Sequence, residues 1–198
     1  MYKLQMTFQK VVCYLAVISG ALSFVYSLGM MTDLYDSLYF TMRNPKNLQQ
    51  TQVPGSIIYY DMQDFNKLYL YLSIGLILLG AFLFLMQTHA RRKYYIGNYV
   101  AITAYTAAAV SVGVWSHIAI EAYKTQYLTT VDFERLAKFA KAMKSAYVDS
   151  PFWFDVHYVV LAALALSAVL LVVNMIWKIT LMRQERRLIA IGKEAACV

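Results

Sequence analysis

The chain is poor in the residues that fasten or interrupt a soluble domain. It has two cysteines in 198 residues. Cys13 lies just inside an apolar run and Cys197 is the penultimate residue, so neither can bridge a loop. The disulfide framework of small extracellular domains is therefore excluded, and so is a pair of thiols for exchange chemistry. There are three prolines, and none interrupts a long apolar run. Charge is scarce too: 15% of residues are charged, against about 25% in a soluble domain. No apolar run carries Asp, Glu, Lys or Arg near its centre, which argues against an ion pump with a buried relay. A phosphate-binding loop and a nucleophile with its base are both missing. The ending Ala195-Ala196-Cys197-Val198 is not a prenylation box, because the cysteine stands too close to the end.

What is present is apolar surface. Hydrophobic residues make up 60% of the chain, more than the roughly 45–50% of a soluble domain. The excess gathers into four runs, near residues 11–31, 68–86, 99–120 and 152–177. A spanning helix needs about 20 apolar residues, and backbone groups in lipid must pair within the segment. The predicted fold is therefore an all-α membrane protein, a four-transmembrane-helix bundle forming one domain over residues 1–198. Lys3 and Lys10 precede the first run as in a signal peptide, but the run is too long for a signal core of roughly 7–15 residues. Lys10 also stands where a lipid-attachment reading of Cys13 would need an apolar residue. The first run is expected to stay as a helix, continuing to about Met42 and stopping before Asn44-Pro45. Asp149-Ser150-Pro151 is expected to cap the fourth, with proline at the first helical position.

Four crossings put both termini on one side. If that side is the cytoplasm, it holds ten basic residues, among them Arg91, Arg92, Lys93, Lys178 and Arg183, and the other side holds eight. The inner segments are shorter and so denser in positive charge, and nine of the eleven acidic residues fall outside. The expectation is an integral protein of the cell membrane with cytoplasmic N- and C-termini. The net charge of +7 is explained by these span ends and by lipid headgroups, not by nucleic acid. Trp115, Tyr123, Phe152, Trp153, Phe154 and Tyr158 read as an aromatic belt at one interface, with Tyr94, Tyr95, His89 and Trp177 near the other.

Two outer loops follow, at about 32–67 and 121–150, and a tail at 178–198 that can extend the fourth helix along anionic lipid. In the first loop, Val53-Pro54-Gly55-Ser56 predicts a type II turn, and Ser56 to Tyr60 suits a short strand without an evident partner. In the second, Phe133, Leu136, Ala137, Ala140, Met143 and Tyr147 recur at helical spacing, with Arg135, Lys138 and Lys141 opposite. This predicts an amphipathic helix of about 16 residues, opened by Thr129 and Asp132 and packed on its own protein.

The chemical candidates are few. His117 and Glu121 share a helix face, and Asp155 and His157 lie at matching depth on the fourth run. Together they offer two imidazoles and two carboxylates to a divalent metal, and the two histidines offer axial ligands to a haem. Interfacial polar residues bonded to water or to each other explain them more simply, so no metal or other cofactor is expected. Asn174 is read as a hydrogen bond between helices. Ala104, Ala108 and Gly113, in a third run rich in small residues, are read as interhelical packing positions, which disfavours a wide pore within one chain.

Four-span proteins with two outer loops, such as tetraspanins, claudins and gap-junction subunits, depend on cysteine pairs in those loops. The pairs are missing here, and no family is assigned. The expected function is a non-enzymatic accessory or scaffold subunit of a larger membrane complex, with a transporter as one conceivable host. Its partners are the lipid bilayer and either another membrane protein or further copies of itself. The alternatives are a redox or metal-binding subunit using the outer histidines and carboxylates, and an oligomeric channel or small transporter.

Overall fold

The computed structural model describes residues 2–34, 38, 53–89, 95–143 and 151–196. Four long helices dominate: α1 (Tyr2–Gly29), α3 (Gln63–His89), α4 (Tyr95–Thr130) and α6 (Phe152–Ala196). Two shorter ones, α2 (Ile58–Asp61) and α5 (Phe133–Met143), lie in the connections. All four long helices are long and apolar enough to cross a membrane, and the described residues contain no strand. The protein is a helical polytopic membrane protein.

The helices form a closed four-membered ring. α1 packs on α3 and α6, and α4 packs on the same two, so α1 faces α4 across one diagonal and α3 faces α6 across the other. α1 and α3 approach most closely. A Cβ added at Gly20 would stand 3.0 Å from the Ile77 backbone nitrogen, and one at Gly80 would stand 3.2 Å from that of Val17. Small residues permit this approach, and in lipid the dispersion it gains is a main source of helix association.

The long helices outrun the apolar stretches that reveal them. α4 continues ten residues past the expected end of its span, because Glu121 to Thr130 is helix rather than loop. At about 1.5 Å per residue, α6 would measure nearly 70 Å, so its C-terminal half projects beyond a bilayer, as the tail's sequence suggested. α6 begins at Phe152, with Pro151 supplying the first carbonyl, to Asp155 N at 2.9 Å. α1 ends in a π-helical turn, Met30–Leu34. The expected continuation to Met42, the Asn44-Pro45 stop, Arg91-Arg92-Lys93, the Asp149-Ser150 cap and the far turn of α5 through Tyr147 lie outside the described residues.

At the loop end the two connections dock on each other. The type II turn forms as predicted: Gly55 has φ 81 and Ser56 N donates to Val53 O at 3.3 Å. The residues after it make the helical turn α2 rather than a strand, since Tyr60 N and Met62 N bond back within the segment. With no partner strand among the described residues, local bonding satisfies the backbone. Asp132 N then donates to Pro54 O at 3.1 Å, and Tyr123 Oη to Asp61 O at 3.0 Å. Asp132 caps α5 through Arg135 N at 3.0 Å, whereas Thr129 spends its hydroxyl on Thr125 O. Leu136 is fully buried and Phe133 packs edge-on against Tyr127, so the start of α5 rests on the end of α4, while Arg135 and Lys138 face out; Ala140, Met143 and Tyr147 of the expected apolar face have side chains outside the described residues.

Candidate functional site

Of the four residues singled out as possible metal ligands, His117, Glu121 and Asp155 lie around Tyr158 and Lys124 where α4 meets α6, and His157 is turned away from them. Glu121 accepts a hydrogen bond from Tyr158 Oη, and Asp155 pairs with Lys124 at 2.6 Å. Both pairs join α4 to α6 at the loop end. His117 is half-buried beside an apolar groove and near the Tyr158 ring. His157 turns the other way, into the centre of the bundle, where it is 1% exposed. Among the described residues, no three of His, Cys, Asp and Glu come together as a metal-holding set. The two carboxylates are occupied by a phenol and an ammonium.

His157 belongs to a different cluster, built from all four long helices. Its Nε2 lies 3.4 Å from Ser116 Oγ of α4. Its ring sits 5.3 Å from Tyr26 of α1 and 6.1 Å from Tyr69 of α3, centre to centre. The Tyr69 hydroxyl faces those of Ser23 and Ser116 without reaching hydrogen-bond geometry with either. Tyr26 Oη, Tyr69 Oη and His157 Nδ1 are buried and have no hydrogen-bond partner within the protein. Such orphans are rare in a finished core and mark places where water or a small polar ligand completes the bonding. Phe65 stacks on Tyr69 and tilts against Trp115, closing the cluster toward the loops.

The polar lining continues through the bundle along one face of α1. Midway, Ser19 Oγ lies 3.0 Å from the Ala163 carbonyl of α6, and Tyr105 Oη donates to the Ala16 carbonyl across the diagonal at 2.9 Å. Toward the termini a ladder of carboxamides takes over. Gln5 Nε2 donates to Asn174 at 2.9 Å and to Gln9 at 3.3 Å, and Gln9 Nε2 donates to Asn98 at 2.9 Å. All four amides are buried. Asn174 is thus bonded to another helix, the arrangement its sequence position suggested. Lys178, one turn further, is only 4% exposed, with its ammonium 5.9 Å from the centre of the Tyr99 ring.

Sequence reasoning missed most of this seam. Gln5 and Gln9, and then Ser19, Ser23 and Ser27, stand four apart within each group and bury against the neighbouring helices, while Val11, Ile18, Leu22 and Val25 face outward. The signal was present: polar residues at helical spacing within a lipid-spanning run mark an inward face. Lys178 was read as the marker of a span end, but it points into the bundle. The packing positions are divided as well. Gly113 is buried, with an added Cβ 3.6 Å from Leu161, and Ala108 is half-buried, but Ala104 faces outward. Phe154, assigned to an interfacial belt, is 1% exposed and packs on Tyr127. The side chain of His89 lies outside the described residues.

Comparison with protein-family models, with curated proteins and with solved structures finds no match for this chain.

Proposed function

We propose that this protein is a non-enzymatic accessory or scaffold subunit of a larger membrane assembly, held in the cell membrane with both termini in the cytoplasm. The observation that carries this reading is the outward face of α4. Thr103, Ala107 and Ser111 lie four residues apart and exposed, with Ala104 beside them. Alongside runs an apolar groove of about 250 Å³ between α4 and α6, lined by residues including Ala109, Gly113, Leu161 and Ala165. A small-xxx-small face lets another helix approach closely, and a flanking groove gives its side chains somewhere to pack. The occupant is a transmembrane helix of a partner or of a second copy.

Photo-crosslinking in native membranes tests this. A photoreactive residue at position 107 or 111 is expected to yield a discrete protein adduct. The same residue at Leu78, 65% exposed on α3, is expected to label lipid alone. Lipid-only labelling at all three positions would sink the proposal.

A second reading, a small transporter or channel, is favoured by the polar seam through the bundle. It requires water to enter that seam. With Cys13 and Cys197 replaced by serine, Ser23→Cys is expected to react with a small, membrane-impermeant thiol reagent if the path is hydrated. No labelling under conditions that modify an exposed cysteine would remove this reading. A redox or metal role draws less support, because Glu121 and Asp155 already serve Tyr158 and Lys124.

A further inference from the structure

The hydrogen bonds around His157 fix its tautomer. The Ser116 hydroxyl donates to the Gly113 carbonyl at 3.1 Å, so its oxygen is left to accept. That oxygen lies 3.4 Å from His157 Nε2, which is therefore the nitrogen that carries hydrogen. Nδ1 is then a bare lone pair, buried and without a partner in the protein. Close by, the Tyr26 and Tyr69 hydroxyls are buried without an acceptor, and Asn66 Oδ1 is buried without a donor. Asn66 belongs to the same cluster. It stands three residues before Tyr69 on α3, and its carbonyl accepts from Ser27, the neighbour of Tyr26 on α1.

Two O–H donors thus lack acceptors, and two acceptors lack donors. An anion would answer only the hydroxyls, and a metal ion would leave their hydrogens unmet. Water both donates and accepts twice, so a few molecules complete the whole set. The rings of Tyr26, Tyr69 and His157 have centres 5.3, 6.0 and 6.1 Å apart, too close for another ring to enter between them.

Among the described residues, the route for water comes from one side. Asn66 also lines a groove of about 240 Å³ at the loop end, with Met31, Tyr59, Gln63 and Lys67. A water molecule takes up about 30 Å³, so the groove holds several. Toward the termini the seam closes. Ser23 donates to Ser19 O at 2.9 Å, Ser19 to Leu15 O at 2.8 Å and Tyr105 to Ala16 O at 2.9 Å, so these hydroxyls are already engaged with backbone. Leu76, packed against Gly20 at this level, and Leu164 are buried and apolar.

We propose that the cluster binds a short file of water molecules admitted from the loop-end groove, through which His157 Nδ1 takes up and returns protons on that side of the membrane alone. A proton delivered by the file adds to the lone pair and makes an imidazolium; its release restores the neutral ring. The titratable groups that act on this ring are Tyr26 of α1, Tyr69 of α3, and His117 and Glu121 of α4. A file that ends inside the bundle is not a through path, so the inference rests neither on the α4 docking face nor on transport.

The test is solid-state NMR of the full chain in lipid bilayers, with isotope-labelled histidine and magnetisation transferred from water. The chain has three histidines, and His157→Gln identifies the signals of the one concerned. In wild type, His157 is expected to carry hydrogen on Nε2, to receive water magnetisation readily, and to become imidazolium on acidification. Asn66→Leu removes an acceptor of the file, and Gln63→Trp plugs the groove while leaving Asn66 in place. Each is expected to lower the water transfer to His157 severalfold. Gln9→Leu, at the other end of the seam, is expected to leave it unchanged. Hydrogen on Nδ1 instead of Nε2, or no water transfer in wild type, would overturn the site. Unaltered transfer in Gln63→Trp that melts like wild type would overturn the route. An equal loss in Gln9→Leu would overturn its one-sidedness, and a ring still neutral at the acid limit of the folded protein would overturn proton uptake.

Discussion

Gly20→Leu is expected to destabilise the bundle by about 1–3 kcal/mol, toward the upper end of what overpacking costs in a tight core. The atom that meets the new side chain is the reason. A Cβ at position 20 stands 3.0 Å from Ile77 N and 3.2 Å from the Leu76 carbonyl carbon. These are backbone atoms of α3, which cannot rotate away as a side-chain end would. Relief comes only if α1 and α3 separate, and that movement also pulls Val17 away from Gly80, whose added Cβ would stand 3.2 Å from the Val17 nitrogen. The same substitution at Gly75 is the control, because nothing lies within 4 Å of an added Cβ there. Thermal unfolding in detergent should show Gly20→Leu melting well below wild type and Gly75→Leu close to it. Matching curves for the two variants would show that the α1–α3 contact is not as close as described.

Gly55→Val is expected to release the cap at the loop end while leaving the four-helix ring assembled. Gly55 has φ 81, where a β-branched residue carries about 1–3 kcal/mol of backbone strain. The space is closed as well: an added Cβ would stand 2.2 Å from the Thr130 carbonyl oxygen and 2.6 Å from Val131 N. The turn must move off the end of α4, breaking the bond from Asp132 N to Pro54 O. Amide hydrogen exchange should report faster exchange at Asp132 and Ser56 with little change along α1 or α6. Gly55→Asn separates the two causes. Asparagine tolerates a left-handed backbone but still carries a Cβ, so it too should release the cap. Protection equal to wild type in Gly55→Asn would show that the contact with Thr130 is unimportant.

Both predictions turn on closeness, which the sequence shows poorly. Gly20, Gly75 and Gly80 look alike along the chain. Only the phase of each helix against its neighbour makes two of them contacts and leaves the third in the open. The same holds for Ala104 and Ala108 on α4: an alanine-rich run signals close packing somewhere, but not on which side. Ala104 proves to face outward, away from the core. The histidines and carboxylates show the limit at a site. His117, Glu121, Asp155 and His157 were rightly placed near one end of the bundle, yet a difference of about 100° per residue around a helix decides which of them meet. Asp155 and His157, two apart, therefore point to a surface lysine and to the buried core respectively. Helix ends were also poorly legible. Hydropathy registers lipid contact, whereas α4 runs on through Lys124 and Gln126 because those polar residues bond to α6 and to Asp61.

The four crossings were determined by the sequence alone. Each run must satisfy its own backbone in a solvent that offers no hydrogen bonds, and a helix is the only way for one segment to do so. That requirement is local, so it can be read residue by residue. What lies inside the ring was decided by tertiary structure: the serine and glutamine face of α1, the His157–Tyr26–Tyr69 cluster, and Lys178 behind Tyr99. A polar side chain in a membrane protein is tolerated where other helices shield it from the hydrocarbon, and that shielding exists only once all four helices have come together.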